Sequence, residues 1–439
     1  MALKLGIRRE DKNVWERRVP LTPEHVRQLV QDGVAVTIQP SEIRAFSDEA
    51  YREAGAEVKE DLSACPVMLA VKEIPSSFFL ADHAYMYFAH VIKGQPYNMP
   101  MLRDLLDSGS TLIDYEKVTD DQGRRLVFFG RHAGLAGMMD SLWALGQRLK
   151  AEGFETPFAG LRQTHAYQNL AELKQAVSAA GKQIAEEGLP PVLTPMAFGF
   201  AGYGNVSQGA QEIFDLLPHQ EVAPEQLHRL PKTGNRQKLI KAVFKEEHLV
   251  RQKDPKKPFN LQEYYEHPDL YDPAFDPYVP LLTVMVNCIY WAPQYPRLVT
   301  KARLRDLHDQ KIQSRLRVIG DISCDVEGAV ECTLKCTDPG APVFVYRVTD
   351  DDLVMGVEGP GPVVLAVDNL PCELPVEASQ NFGDALMPFL PALLRADYTS
   401  PFEKLDLPAP IKKAMIAHRG VLTPEYGYLS SHVDKAQGG

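Results

Sequence analysis

Residues 197–209 read AFGFAGYGNVSQG, and this stretch decides the fold. Ala197 to Ala201 is a short apolar run. Gly202-Tyr203-Gly204 follows, and Val206, Ala210, Ile213, Phe214 and Leu217 then recur at helical spacing until Pro218. The pattern is strand, tight glycine turn, helix. Such a turn aims free backbone N–H groups and the positive end of a helix at one point, which suits a pyrophosphate. Gly202 takes the tight turn, and Gly204 lets a phosphate approach the backbone where a side chain would block it. The third position of the fingerprint is Ser207, small enough for close packing of helix on strand. The bland alternative is an ordinary glycine turn in an α/β domain.

Working outward, 439 residues exceed one typical core and predict two domains. A composition of 45% hydrophobic and 24% charged residues is that of a globular protein. The net charge of −11 argues against a nucleic-acid partner, although a local arginine cluster can still hold a small acidic substrate. The six cysteines form no CxxC pair. Cys332 and Cys336 have no partners to complete a metal site, so no metal is expected and the thiols are read as reduced. The N-terminus, MALKLGIRREDK, has no apolar signal core, and no apolar run reaches the ~18 residues that span a bilayer. The expectation is a cytoplasmic protein with no membrane partner.

Along the chain, apolar runs at 3–7, 34–38, 67–71, 85–89 and 111–114 read as strands. They alternate with helices, one opened by Thr22 and Pro23 and one over 46–55. This alternation indicates a parallel α/β sheet. Residues 127–129 read as a returning strand, 133–150 as a helix crossing between domains, and 170–187 as another helix. Residues 218–280 are irregular and rich in charge, proline and aromatics, and read as an insertion with some helix of its own. Strands follow at 281–286, 316–319 and 363–367, then a helix over 381–394 and a tail, disordered by expectation, after Lys435. Open α/β sheets bind ligands beyond the carboxyl ends of their strands. Lys72 and His90 fall there, at adjacent strand ends.

A dinucleotide seat implies hydride transfer, so another part of the chain must supply acid/base groups and a substrate grip. Lys72 and His90 are two titratable cations, and each should lower the other's pKa. Arg18, Arg124 and Arg125 present forks that match carboxylates. The plainer readings are a satisfied loop histidine, a surface lysine beside Glu73, and solvated surface arginines.

At these residues the chain resembles lysine–2-oxoglutarate reductase, the lysine-forming saccharopine dehydrogenase, within the alanine dehydrogenase and transhydrogenase group. The resemblance rests on ERRVPLTP at 16–23, VKEIP at 71–75, FAH at 88–90, DQGRR at 121–125 and GNVSQGAQE at 204–212. It continues in KTG at 232–234, VNCIYW at 286–291, DIS at 321–323 and DNLP at 368–371. It runs from residue 1 to about 430 and is nearest to the reductase half of the bifunctional lysine-degrading enzyme. The resemblance implies condensation of L-lysine with 2-oxoglutarate and reduction of the imine to saccharopine, reversibly. It puts the acid/base pair on Lys72 and His90 and the carboxylate-binding arginines on Arg18 and Arg124. Acidic residues near the substrate amine fall on Glu16, Glu73 and Glu116. Dinucleotide contacts fall on Gly202, Gly204, Asn205, Val206, Ser207, Asn287 and Asp321. The implied fold is α/β: two Rossmann-like domains with parallel sheets and the active site in the interdomain cleft. A discontinuous substrate domain would span 1–133 plus 376–439, and the dinucleotide domain 134–375.

For the cofactor, Glu221 or Glu225 is a candidate for the ribose, near the usual ~20 residues past the first glycine. The animal and plant reductases prefer NADPH, so NADPH is favoured and NADH remains open, with Lys232 or Arg236 as partners for a 2′-phosphate. Two other readings use the same scaffold: an alanine dehydrogenase-like amino-acid dehydrogenase, and a non-catalytic nucleotide-binding subunit. The paired Lys72 and His90 argue against the second, and the extra arginines against the first. The sequence leaves the oligomeric state open.

Overall fold

The computed structural model describes residues 3–231 and 233–435, so the expectations for Lys232 and for the tail after Lys435 lie outside the described residues. The chain divides into two compact units. One comprises Met1–Phe129 with Pro375–Gly439, the other Gly130–Leu374.

The first unit opens with six parallel strands: β1 (Lys4–Ile7), β2 (Ala35–Ile38), β3 (Glu57–Val58), β4 (Val67–Leu69), β5 (Ala84–Tyr87) and β6 (Thr111–Asp114). Their order is β3-β2-β1-β4-β5-β6. Ile7 lies level with Ile38 on one side and Leu69 on the other. β4, β5 and β6 are buried along their whole length, as expected where a parallel sheet is covered on both faces. The order reverses between β1 and β4, so the loops leaving these two strands diverge and open a crevice, the usual ligand position in such sheets. The helix Pro23–Gln31 begins where Thr22 and Pro23 predict. Its first N–H is nevertheless capped by the ring of His25, whose Nδ1 accepts the Thr22 amide at 3.1 Å.

The second unit contributes β7 (Ala197–Ala201), β8 (His219–Glu221), β9 (Leu239–Phe244), β10 (Val250–Gln252), β11 (Tyr271–Pro273), β12 (Val284–Asn287), β13 (Val318–Asp321), β14 (Val343–Arg347), β15 (Asp352–Met355) and β16 (Val363–Leu365). β10 and β11 form a separate antiparallel pair. The others build one sheet in the order β8-β9-β7-β12-β13-β16-β14-β15. It is parallel from β8 to β16, and β14 and β15 run antiparallel at its edge. The helix Gly130–Ala151 crosses the helix Asn205–Phe214 backbone to backbone. A Cβ on Gly134 would lie 1.9 Å from the Val206 carbonyl, and one on Gly209 2.1 Å from that of Arg131. Only glycine fits at either position, and the contact fixes the helix that follows the glycine turn.

The chain then returns to the first unit. β17 (Met415–His418) pairs antiparallel with β6, and β18 (Val421–Leu422) with β17. Phe382, Leu386, Leu390 and Leu393 are buried in the same core as β1 to β6.

Several expectations need correction. Residues 127–129 form no strand; the Phe129 ring stacks on Phe382 at 4.5 Å, so the aromatic run serves packing. Residues 218–280 are only partly an insertion, because β8 and β9 within them belong to the main sheet. The C-terminal helix starts earlier, at Pro375–Leu386, and gives way to a 3-10 turn, Met387–Phe389, before Leu390–Arg395. Pro388 has no N–H to continue the helical ladder. Both sheets carry antiparallel edges, so neither is purely parallel.

Candidate active site

In the first unit the loops leaving β1, β4, β5 and β6 carry most of the residues singled out for chemistry. Glu16 and Arg18 come from the loop after β1. They form a buried two-bond pair, with Arg18 Nε donating to Glu16 Oε1 at 2.7 Å and Nη2 to Oε2 at 2.6 Å. The guanidinium lies 4.2 Å over the Phe129 ring. Lys72 and Glu73 leave β4. Lys12 holds Glu73 at 3.1 Å. Burial and then the Arg18 charge push the Lys72 ammonium below its ordinary pKa, while Glu16 and Glu73 oppose the shift.

His90 follows β5 with its backbone in the left-handed region, φ +50°. Asn98 Nδ2 holds that loop by donating to the carbonyls of Ala89 at 3.0 Å and His90 at 3.2 Å. Such strained non-glycine backbone persists where the surroundings over-determine it, often at functional sites. His90 Nδ1 lies 4.0 Å from Glu116, which follows β6 and is paired with Arg125. Burial and then the Lys72 charge hold His90 below its ordinary pKa. Burial works against the Glu73 carboxylate, yet its own N–H, Lys12 and His90 keep it below the usual range.

The structure therefore brings Glu16, Arg18, Lys72, Glu73, His90 and Glu116 to the loops that follow the carboxyl ends of neighbouring strands of one sheet. It differs from expectation at two points. The main charge lowering Lys72 is that of Arg18, which follows β1, the strand paired with β4. Arg124 lies apart on an exposed turn, paired with Asp120 at 2.7 Å, and Arg125 is the arginine that reaches Glu116.

Sequence reading missed Glu10. Its buried carboxylate accepts the N–H groups of Val71 at 2.6 Å and Lys72 at 2.9 Å, fixing the backbone that carries Lys72. Burial and then the Glu16 charge raise its pKa to about 7. The missed signal is a carboxylate three residues past β1, at the reversal of strand order.

In the second unit Gly202 leaves β7 at φ +95° and donates its N–H to the Phe244 carbonyl at 2.9 Å. Gly204 stands before the helix Asn205–Phe214, and nothing lies within 4 Å of where its Cβ would be. That open cradle over a helix start fits a dinucleotide pyrophosphate. Ser207 is fully buried and accepts from Gln211 at 2.9 Å, in keeping with a packing role. Asn287 and Asp321 are buried and bonded to each other at 2.8 Å, and Thr333 donates to Asp321 at 2.6 Å. Their side chains brace the ends of β12 and β13 and do not present themselves to a ligand.

A cavity of about 430 Å³ adjoins the turn, lined by Gly202, Tyr203, Gly204 and Glu246 and also by Tyr264, Tyr265 and Tyr290. The ribose candidates fall elsewhere. Glu221 lies level with Lys241 on the edge strand β8, where its side chain is exposed, and Glu225 faces His248 at 3.4 Å. Arg236 precedes β9, at the sheet edge away from the turn, and donates to the Leu189 carbonyl at 2.7 Å. Among the described residues no cluster of His, Cys, Asp or Glu could hold a metal ion, and no helix is long and apolar enough to cross a membrane.

Residues 6–136 match the family described as alanine dehydrogenase/PNT, N-terminal domain. Over 443 residues the chain is 39% identical to the alpha-aminoadipic semialdehyde synthase of Arabidopsis thaliana, covering 97% of this chain and 41% of that protein. The chain thus spans less than half the length of this relative. It is 29% identical over 405 residues to the NAD(+), L-lysine-forming saccharopine dehydrogenase of Emericella nidulans, covering 88% of this chain and 91% of that protein. A solved L-alanine dehydrogenase shares the fold, with a TM-score of 0.58 at 19% identity, covering 98% of this chain and all of that one.

Proposed function

We propose that this chain, a relative of the alpha-aminoadipic semialdehyde synthases and the lysine-forming saccharopine dehydrogenases, condenses L-lysine with 2-oxoglutarate and reduces the imine to saccharopine, reversibly. The observation that carries this reading is the pair Lys72 and His90, both held below their ordinary pKa among the carboxylates and arginines of the first unit. Condensation needs a neutral substrate amine, a proton for the departing hydroxyl, and a proton on nitrogen as reduction completes. Two cations poised toward neutrality can pass these protons, and they do so as a coupled pair. Glu16, Glu73 and Glu116 offer acceptors for the substrate ammonium. Arg18 and Arg124 match the substrate carboxylates, Arg18 by exchanging its Glu16 partner for one of them.

When bound, the reduced nicotinamide supplies hydride. Gly202, Gly204, Asn205 and Val206 hold the pyrophosphate by backbone and by the space they leave. The resemblance favours NADPH, and NADH fits the same turn, because the turn reads only the pyrophosphate that both share. None of the six cysteines is in a disulfide, consistent with a reducing compartment such as the cytoplasm.

The test is oxidation of reduced dinucleotide with lysine plus 2-oxoglutarate, set against pyruvate plus ammonia. Turnover with the first pair alone supports the reading. Faster turnover with the second would make the chain an alanine dehydrogenase-like enzyme.

A further inference from the structure

We propose, resting on the dinucleotide reading above, that Glu246 makes this chain bind NADH in preference to NADPH by receiving the hydroxyls of the adenosine ribose. β9 runs parallel beside β7 with Phe244 level with Ala201, and the Gly202 N–H ties the turn to Phe244. Glu246, two residues past Phe244, therefore stands at the end of the strand next to the glycine turn. In dinucleotide-binding sheets this is where an acidic side chain meets the ribose 2′-hydroxyl. Here the chain first makes the edge strand β8 and only then β9, so the acidic residue comes far later than the usual ~20 positions.

The side chain is built for the task. Glu246 lines the cavity that also contains Gly202, Tyr203 and Gly204. Tyr265 donates its hydroxyl to Glu246 Oε1 at 2.8 Å. Burial and then the charge of this carboxylate raise the pKa of Tyr203, on the glycine turn itself. A carboxylate has about four acceptor positions, so at least two remain for the adjacent ribose hydroxyls.

A 2′-phosphate would bring up to two negative charges against this carboxylate in a cavity whose lining, among the described residues, holds no lysine, arginine or histidine. The basic candidates among the described residues do not compensate. Arg236 is spent on the Leu189 carbonyl at the other end of β9. Lys245 is exposed and is not part of the lining.

Binding by the whole chain tests this without turnover, by titrating protein fluorescence with NADH, NADPH and 2′-AMP. NADH should bind on the order of 100-fold tighter than NADPH, with 2′-AMP not detectably bound. Glu246→Gln should narrow that ratio to about tenfold or less, chiefly by improving NADPH, since a neutral amide no longer repels the phosphate. Equal or tighter NADPH binding by the native chain would overturn the inference and leave the dinucleotide reading intact. Failure of both dinucleotides to bind would overturn that reading and the inference with it. The native ratio stands whether or not the variant folds.

Discussion

At the carboxyl ends of β1, β4, β5 and β6, charge is dense and mutually engaged: Arg18 on Glu16, Lys12 on Glu73, Arg125 on Glu116. At the carboxyl ends of β7, β9 and β12 the cavity is lined, among the described residues, by the glycine turn, tyrosines, apolar side chains and one carboxylate, Glu246. The two regions use the same topology, a strand end beside a reversal of sheet order, for different work. A group that must gain and lose protons near neutral pH needs buried neighbours of both signs, because burial and charge move its pKa. A ligand that arrives with its charge already fixed needs space and oriented N–H groups, and a side-chain charge serves only to select among ligands. Substitutions in the first region should therefore change rate and pH dependence, and those in the second should change affinity.

The largest effect follows from that division. Lys72→Met and His90→Gln should each lower turnover by about 10²–10⁴-fold and flatten one limb of the pH–rate profile. The double variant should lose less than the product of the two, since residues acting as a unit are not additive. Dinucleotide affinity, read by fluorescence titration, should stay unchanged in all three. A parallel loss of affinity would erase the distinction between the regions.

Next, Gly204→Val should abolish dinucleotide binding while leaving the melting temperature near that of the native chain. Its φ of −76° and the empty space around its Cβ allow a side chain without backbone strain. Retained binding in a folded variant would remove this turn from the site.

A third experiment concerns the cost of the charged region. The folded Glu10 carboxyl has its pKa raised from 4.5 to about 7. A raised carboxyl gives stability that is fully present below its unfolded pKa and lost as pH rises through the folded one. Between pH 5 and 7.5, urea unfolding should show a loss on the order of 1–3 kcal/mol, diminished in Glu10→Gln. An unaltered slope in the variant would place the titration elsewhere, for example at Glu373, also raised to about 7 by burial.

The smallest effect is expected at Arg124. Arg124→Lys should raise the half-saturating 2-oxoglutarate concentration a few-fold, and that of lysine less, because an ammonium cannot reproduce the planar fork. Equal shifts would leave Arg124 as one half of an exposed ion pair with Asp120.

The contrast between the regions also explains what could be read from the chain alone. The strand, turn and helix at 197–214 were legible because apolar run length and helical spacing are local. The rim positions of Lys72 and His90 followed from strand order. β9 was not legible, because Lys241 interrupts LIKAVF. Folding buries that lysine and neutralises it with Asp215 at 2.7 Å and Glu221 at 3.6 Å, partners that only the fold supplies. Losing β9 meant losing Glu246. Glu10 escaped notice because its partners are backbone N–H groups of a strand neighbour distant in sequence. The choice between Arg124 and Arg125 turned on side-chain direction in a turn, which residue type does not encode.

The return of the chain through β17 and β18 bears on synthesis at the ribosome. The second unit is one continuous span, whereas the first waits for residues made after it. At typical elongation of about 5–20 residues per second, β6 emerges some tens of seconds before its neighbour β17. For that interval β6 offers an unpaired strand edge, and the core lacks Phe382, Leu386 and Leu390. The second unit is thus positioned to fold first, and the nascent first unit is the part that would most need a chaperone's cover.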